Sequence, residues 1–419
     1  MIRRIEALNY RCLRYVNQEL DDFQVLVGPN ASGRTSFLDV VEFLGDLVSS
    51  GLDYAISNRS NNLQDLLWQK QGDGFELAIE LQIPEKYNEK IADKSCDIIR
   101  YEVAIGWDAQ KEEHNILYER ALLAKAEKEK PIQKKLFPEE AKAPDSICNK
   151  KFKQQKTIIS KVPGGNDNFY SEVYEKKGKG WAPSFKLGPR KSTLGNLLDD
   201  ESKLPVATWM KNLLSEGVCK FVLNSMAIKK ASPPGKSRNK LISDGSNLPW
   251  VIQYLQEKDA SRFDGWIAHL QTAFPDIETI RTVERADDRH RYLVIRYAGG
   301  LEVPSWMVSD GTLRLLALTL PAYLPDFSGI YLIEEPENGI HPKAVETMFQ
   351  SLSSAYNAQI LLATHSPVIL SIAKPEQVLC FSKTHSGAAD IVRSSKHPRL
   401  RGWKGETNLG VLFAGGVLG

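Results

Sequence analysis

Two short runs near the N-terminus, residues 2–8 and 23–27, have the apolar content of β-strands. The second, Phe23 to Val27, runs straight into a glycine-bounded loop. Beyond the loop, Phe37, Val40, Val41, Leu44, Leu47 and Val48 recur at the spacing of one buried helical face, which predicts a helix. Phe75 to Leu81 and Ile98 to Trp107 read as further strands. From about 108 to 165 the periodicity lapses. Lysines crowd this stretch (Lys125, Lys128, Lys130, Lys134, Lys135, Lys150, Lys151, Lys153, Lys156), and Pro131, Pro138, Pro144 and Pro163 interrupt it. It reads as an insertion with exposed or mobile parts.

Regular pattern then returns. A strand-like stretch at 168–175 and a helix at 204–215 precede the Pro233, Pro234, Gly235 loop. Amphipathic helices are predicted at 247–257 and 261–273, and strands at 278–284 and 291–297. A leucine-rich helix starts near Asp310, followed by a strand at 330–333, a helix at about 342–355 and a strand at 359–363. Strands alternating with helices imply a parallel sheet in an α/β fold. There is no internal repeat and no sustained heptad pattern. The expected organisation is a lobe at 1–107, an inserted domain at 108–285 with its lysine-rich segment at 108–165, and a second lobe at 286–419.

Length and composition narrow the class. The 419 residues suffice for two to three domains and a large core. At 42% apolar and 25% charged, the chain is ordinarily globular. Its formal charge of +2 singles out neither nucleic acid nor membrane as a partner. Cys12, Cys96, Cys148, Cys219 and Cys380 are scattered without a C-x-x-C pair, which fits free thiols in a reducing cytoplasm. No apolar signal segment follows Met1, and the longest apolar stretch, Leu313 to Leu324, is broken by Pro321. Membrane embedding is not expected.

Four motifs carry candidate chemistry. Gly28, Pro29, Asn30, Ala31, Ser32, Gly33, Arg34, Thr35 and Ser36 form a phosphate-loop pattern, with Arg34 where lysine is usual. Glycines let the backbone turn its N–H groups on phosphate oxygens, the helix start adds positive potential, and Thr35 can offer its hydroxyl to Mg²⁺. Arginine is planar, longer and bidentate where lysine is a compact point charge, so Arg34 bears on the speed of any turnover. The apolar run at 330–333 delivers Glu334 and Glu335 to a strand's C-terminal tip, where α/β sheets bind ligands. Glu334 suits Mg²⁺, and Glu335 suits polarising a water. Alone, such a pair before Pro336 is equally an exposed surface feature. His365, after Ile360 to Ala363, is either a phosphate sensor or a structural hydrogen-bonding group. Ser309 and Gly311 open the leucine-rich helix as an N-cap or a second anion site.

In their order, the phosphate loop, the Ser309–Thr312 helix start, the Glu334–Glu335 strand and the Thr364, His365, Ser366 turn resemble ABC-type ATPases. The likeness is to the soluble prokaryotic AAA-type group related to SMC, RecF and overcoming-lysogenisation-defect proteins, and covers about 1–85 and 220–419. It implies a P-loop ABC-type ATPase head with a mixed sheet, interrupted by a large α+β insertion. It implies ATP and Mg²⁺ as ligands: Gly28, Asn30, Gly33, Arg34, Thr35 and Ser36 around the phosphates, Thr35 and Glu334 at the metal, Glu335 as base, His365 as switch, and Arg11 as a phosphate-sensing arginine. It further implies that Ser309 and Gly311 reach the γ-phosphate held by a partner copy, with Asn338 to His341 crossing the interface. Gln64 and Gln82 both remain open as the lobe-linking glutamine. The implied partners are a second copy and a separate effector, a nuclease, in anti-phage defence, because only 54 residues follow His365. The alternative is a RecF- or SMC-like repair ATPase that binds nucleic acid through the 125–156 lysines, a stretch that reads equally as a solvated face. A transporter subunit is disfavoured by the insertion and the missing transporter signature. A scaffold disabled by Arg34 is disfavoured because the other catalytic positions are present.

Overall fold

The computed structural model describes residues 1–108, 113–127, 134–162, 164–173, 182–198, 200–400 and 408–416. Lys128, Lys130, Pro131, Pro163 and the end of the strand expected at 168–175 lie outside them.

Two large sheets face one another across one helix. The first is antiparallel, in the order β2 (Leu13–Glu19), β1 (Ile2–Tyr10), β4 (Gly74–Gln82), β5 (Ile98–Asp108), β6 (Glu113–Ala124), β7 (Gln155–Lys161), β8 (Asp167–Phe169), β9 (Ser184–Phe185). The second has the order β10 (Val218–Phe221), β14 (Gly329–Glu334), β15 (Ala358–Thr364), β3 (Phe23–Val27), β16 (Val378–Lys383), β17 (Ala389–Arg393). It is parallel from β10 through β16, and β17 closes it antiparallel. The hairpin β11 (Ile277–Glu284), β12 (Arg291–Tyr297) and its neighbour β13 (Glu302–Pro304) form a small third sheet.

Strand alternation explains how the second sheet is covered on both faces. Leu26, Leu332 and Leu361 point to one core with Phe37, Val41 and Leu44 of the helix Arg34–Ser50, which packs against the first sheet. Val25, Ile333 and Leu362 point to the other core, under the helices Leu248–Lys258, Ala260–Gln271, Asp310–Thr319 and Pro342–Ser353. Those helices lie within a few residues of their predicted bounds, as do β1, β3, β4, β5, β11, β12, β14 and β15.

The structure departs from expectation over 108–165. β6 and β7 extend the first sheet beyond β5, each pairing carrying one register shift. The expected boundary at 107/108 thus falls inside a sheet, and the one at 285/286 inside the β11–β12 hairpin. Charge is what hid the pattern. Arg100, Glu102 and Glu119 are fully buried on strands of this sheet, where an apolar alternation would normally appear. Arg100 pairs with Glu6, Glu80 and Glu102, and Arg120 with Glu102. The segment around Ile147 to Lys150 is then fastened by polar bonds. The Ile147 N–H donates to Glu76 at 2.7 Å and the Asn149 N–H to Glu102 at 2.9 Å, while Arg120 donates to the Lys150 carbonyl at 2.8 Å. These bonds add to a small apolar contact of Ile147 with Leu8 and Ala78.

Candidate functional site

The parallel strands β3, β14 and β15 end side by side, and their C-terminal tips carry three of the four motifs. The loop after β3 turns tightly because its small residues permit it. A Cβ on Gly28 would lie 2.3 Å from the Phe381 carbonyl oxygen, so only glycine fits against β16 there. Gly33 sits at φ +104°, and Ala31 also takes the left-handed region at φ 60°. Gly33 precedes the helix Arg34–Ser50 and gives it no side-chain cap, which leaves the first-turn N–H groups to the loop's concave side. The Ser32 hydroxyl is buried without a hydrogen-bond partner. Bare first-turn donors, an orphaned hydroxyl and a helix N-terminus together fit a bound polyphosphate.

Thr35 donates its hydroxyl to Glu334 at 2.6 Å, joining residues 299 positions apart. This hydroxyl and carboxylate are hard oxygen donors suited to Mg²⁺. Arg34 is 8% exposed and turns inward. Its guanidinium donates to the Thr364 carbonyl at 2.7 Å and touches His365 Nε2. Burial lowers the Arg34 pKa against the opposing pull of Glu335, Glu334 and Glu337. His365 Nε2 also lies 3.3 Å from Glu335. One ring nitrogen cannot accept from Arg34 and donate to Glu335 at once, so the two contacts are alternatives set by the tautomer. Burial, then the Arg34 charge, lowers the His365 pKa, with Glu335 and Glu337 opposing. The neutral ring therefore dominates near neutral pH.

Glu335 holds φ 47°, an uncommon left-handed conformation for a side-chain-bearing residue. Asn338 fixes its carboxylate with a 2.7 Å donation. Glu337 accepts from the Thr364 hydroxyl at 2.6 Å and from the His365 N–H at 3.0 Å, tying this turn to the β15 tip. Gly339 packs on Gly311, where an added Cβ would sit 2.2 Å from the Gly339 carbonyl. Ser309 caps the helix Asp310–Thr319 by accepting from Thr312 N–H at 3.2 Å, and Asp310 pairs with Lys229 at 2.5 Å. His341 caps the next helix.

A cleft of about 540 Å³ opens beside the loop, lined by Arg11, Gly33, Arg34, Thr35 and Ser36. Arg11 stands at φ 50° and pairs with Asp39 at 3.3 Å. Glu334 and His365 meet this cleft's wall through Thr35 and Arg34, whereas Ser309 and Gly311 do not line it. Neither Gln64 nor Gln82 lines it. Gln69 does, in a left-handed turn at φ 51°, and its amide donates to the Ser386 carbonyl at 3.2 Å. A larger cleft of about 860 Å³ lies elsewhere, and of the expected positions only Gln82 lines it. The motifs, not the volume, mark the site. Sequence reasoning also passed over Glu337 and over Lys220, which lies 3.1 Å from Glu334 and 3.3 Å from Glu42. Of the lysines in the 125–156 stretch, Lys134 pairs with Asp390, and Lys150 with Glu6 and Glu80.

Among the described residues no helix is long and apolar enough to cross a membrane, and no cluster of three His, Cys, Asp or Glu side chains could hold a metal.

Residues 189–371 match the family model described as "AAA domain, putative AbiEii toxin, Type IV TA system". A curated relative, "Retron Vc95 probable ATPase" of Vibrio cholerae serotype O1 biovar El Tor, is 38% identical over 74 residues, which are 17% of this chain and 14% of that protein. The chain thus spans about one seventh of the curated relative it matches. Two solved structures share the fold. An SMC head bound to the C-terminal winged-helix domain of ScpA superposes with a TM-score of 0.54 at 13% identity, covering 93% of this chain and 96% of that one. An SMC head with an extended coiled coil, bound to the C-terminal domain of ScpA from Pyrococcus furiosus, gives 0.50 at 13% identity, covering 93% and 95%. The fold is that of the SMC ATPase heads, and residues 189–371 are similar to an AAA domain.

Proposed function

We propose that this chain binds and hydrolyses ATP in the cleft beside Arg34 and Thr35, and that two copies close head to tail over the nucleotide. One observation carries the reading. Thr35 bonds Glu334 and Arg34 bonds the Thr364–His365 turn, so motifs 299 and 331 residues apart meet at one loop. Gly28, Asn30, Gly33, Arg34, Thr35 and Ser36 would hold the phosphates, with Arg11 at the rim and Thr35 and Glu334 at Mg²⁺. Bound ATP with its metal supplies the scissile phosphoanhydride and the positive charge that stabilises developing negative charge.

The chain's own residues account for the rest. Glu335, fixed by Asn338, takes a proton from an attacking water at its carboxylate. Neutral His365 stands 3.3 Å from that carboxylate and can donate to it in the tautomer that carries the Nε2 proton, with Arg34 then held by the Thr364 carbonyl alone. Arg34 holds the His365 turn against the loop, which makes it a link between the two motifs rather than a free phosphate clamp. In this reading Ser309 and Gly311 face a partner's cleft, and a single copy carries an incomplete site.

The similarity to a retron ATPase supports an anti-phage role, in which the nucleotide state of the pair switches a separate effector, a nuclease. Of the 125–156 lysines, Lys134 and Lys150 are held in ion pairs, so these two give no support to direct nucleic-acid binding. The experiment is sedimentation velocity on the Glu335→Gln variant with no nucleotide, ADP or ATP. A dimer formed with ATP alone supports the reading, and one unchanging species in all three conditions refutes it. Affinity capture from a host carrying the native locus, in both nucleotide states, tests the effector.

A further inference from the structure

Lys220 has no part in the motifs, yet it is bonded to one of the carboxylates they supply. It lies on β10, the neighbour of β14, in register with Leu332. Its ammonium reaches 3.1 Å from Glu334 Oε1, while Thr35 occupies Glu334 Oε2 at 2.6 Å. Glu42, from the first helix, flanks the same ammonium at 3.3 Å. All three side chains of this triad are 27% exposed, so the charges are neither fully screened nor sealed away. Lys220 thus bridges Glu42 and Glu334 with a single positive charge.

We infer that Lys220 is a resident counter-cation that keeps a divalent metal from binding Glu334 alone, so that metal enters only together with phosphate oxygens. The inference rests on the reading of Thr35 and Glu334 as metal ligands. A lone aquated cation must displace an ammonium already held by two carboxylates, with only these oxygens as recompense. A cation arriving on a polyphosphate brings several oxygen ligands and a net negative charge, which can draw the ammonium away from Glu334. Lys220 would thereby make metal binding conditional on nucleotide. It acts through Glu334 and is a positioning residue.

The test is Mn²⁺ titration of the full chain by electron paramagnetic resonance without nucleotide. Wild type and Lys220→Arg should bind Mn²⁺ weakly and alike. Lys220→Met should bind at least tenfold more tightly, and the gain should vanish when Glu334→Gln is added. Lys220→Gln, which keeps a hydrogen-bond donor but no charge, serves the same purpose if the methionine variant does not fold. A folded neutral variant with wild-type Mn²⁺ affinity overturns the inference, as does a gain that survives Glu334→Gln. Because no nucleotide is present, this outcome is separate from the ATPase reading, whose own failure would appear as wild type not binding ATP.

Discussion

Gly311→Ala probes the packing that joins the Ser309 helix to the catalytic turn. The new methyl carbon would lie 2.2 Å from the Gly339 carbonyl oxygen, and both partners are backbone. Carbon–oxygen contacts settle near 3.3 Å, so about 1 Å must open. The helix cannot yield, because Leu313, Leu315 and Leu316 anchor it with no exposed surface. The turn at Asn338 and Gly339 is exposed and gives way instead. A shift of that size breaks the 2.7 Å bond from Asn338 to Glu335 and strains the Glu337 bonds to Thr364 and His365. Overpacking of this kind costs about 1–3 kcal/mol. If a similar amount is lost from the positioning of Glu335, turnover falls roughly tenfold or more, at about 1.4 kcal/mol per decade. Nucleotide affinity should hold within about threefold, since residues 28–36 are not touched. Phosphate release and fluorescent-nucleotide binding measure the two quantities, with urea unfolding as the stability control. A folded variant with wild-type turnover, or one that loses affinity in step with turnover, refutes the reasoning.

Three further outcomes follow from the same geometry. Asp39→Ala should cost about 3–5 kcal/mol in unfolding experiments, because it strips a buried carboxylate from Tyr10 at 2.5 Å and from Arg59 at 2.6 Å; a loss below 1 kcal/mol would contradict this. Arg34→Met should move the His365 titration, followed by NMR, up toward its ordinary value, since it removes a positive charge that now lowers it; an unmoved or lower midpoint would show that the Arg34 contact is absent in solution. Burial, then Arg399, holds the His397 pKa at about 4, below its unfolded value. Neutral His397 thus stabilises the fold above the unfolded pKa, and this contribution should fade as pH falls from 6.5 through about 4, by on the order of 1–2 kcal/mol after solvent screening. Urea melts of wild type and His397→Gln across that window should converge at the acid end, and parallel curves would rule the effect out.

In the second sheet β3, β14 and β15 were legible because they are nearly continuous apolar runs that end at chemistry-bearing residues, whereas β10, β16 and β17 went unrecognised. Tyr331, Leu332 and Ile333 lead straight to Glu334, and Leu361 to Ala363 lead to His365. The first sheet was half legible. β4 and β5 were found, but β6 carries the inward charge Glu119, whose partners Tyr101, Ser192 and Thr193 are distant in sequence, so no local pattern marks it as buried. β2 went unrecognised because only Leu13 and Val16 of its seven residues are buried. Gln69 was missed because a glutamine in a short irregular stretch has no signature until the fold brings it to the cleft. Lys220 was missed for a related reason: its meaning comes from Glu42 and Glu334, and strand pairing alone makes them neighbours.

The central claim is that Glu335 drives hydrolysis of an ATP held by the Gly28–Ser36 loop. Steady-state phosphate release by wild type and Glu335→Gln, at saturating ATP and Mg²⁺, measures it directly. Wild type should exceed the variant by about 10²-fold or more while both bind ATP equally. Equal rates, with both proteins folded and nucleotide-bound, would contradict it.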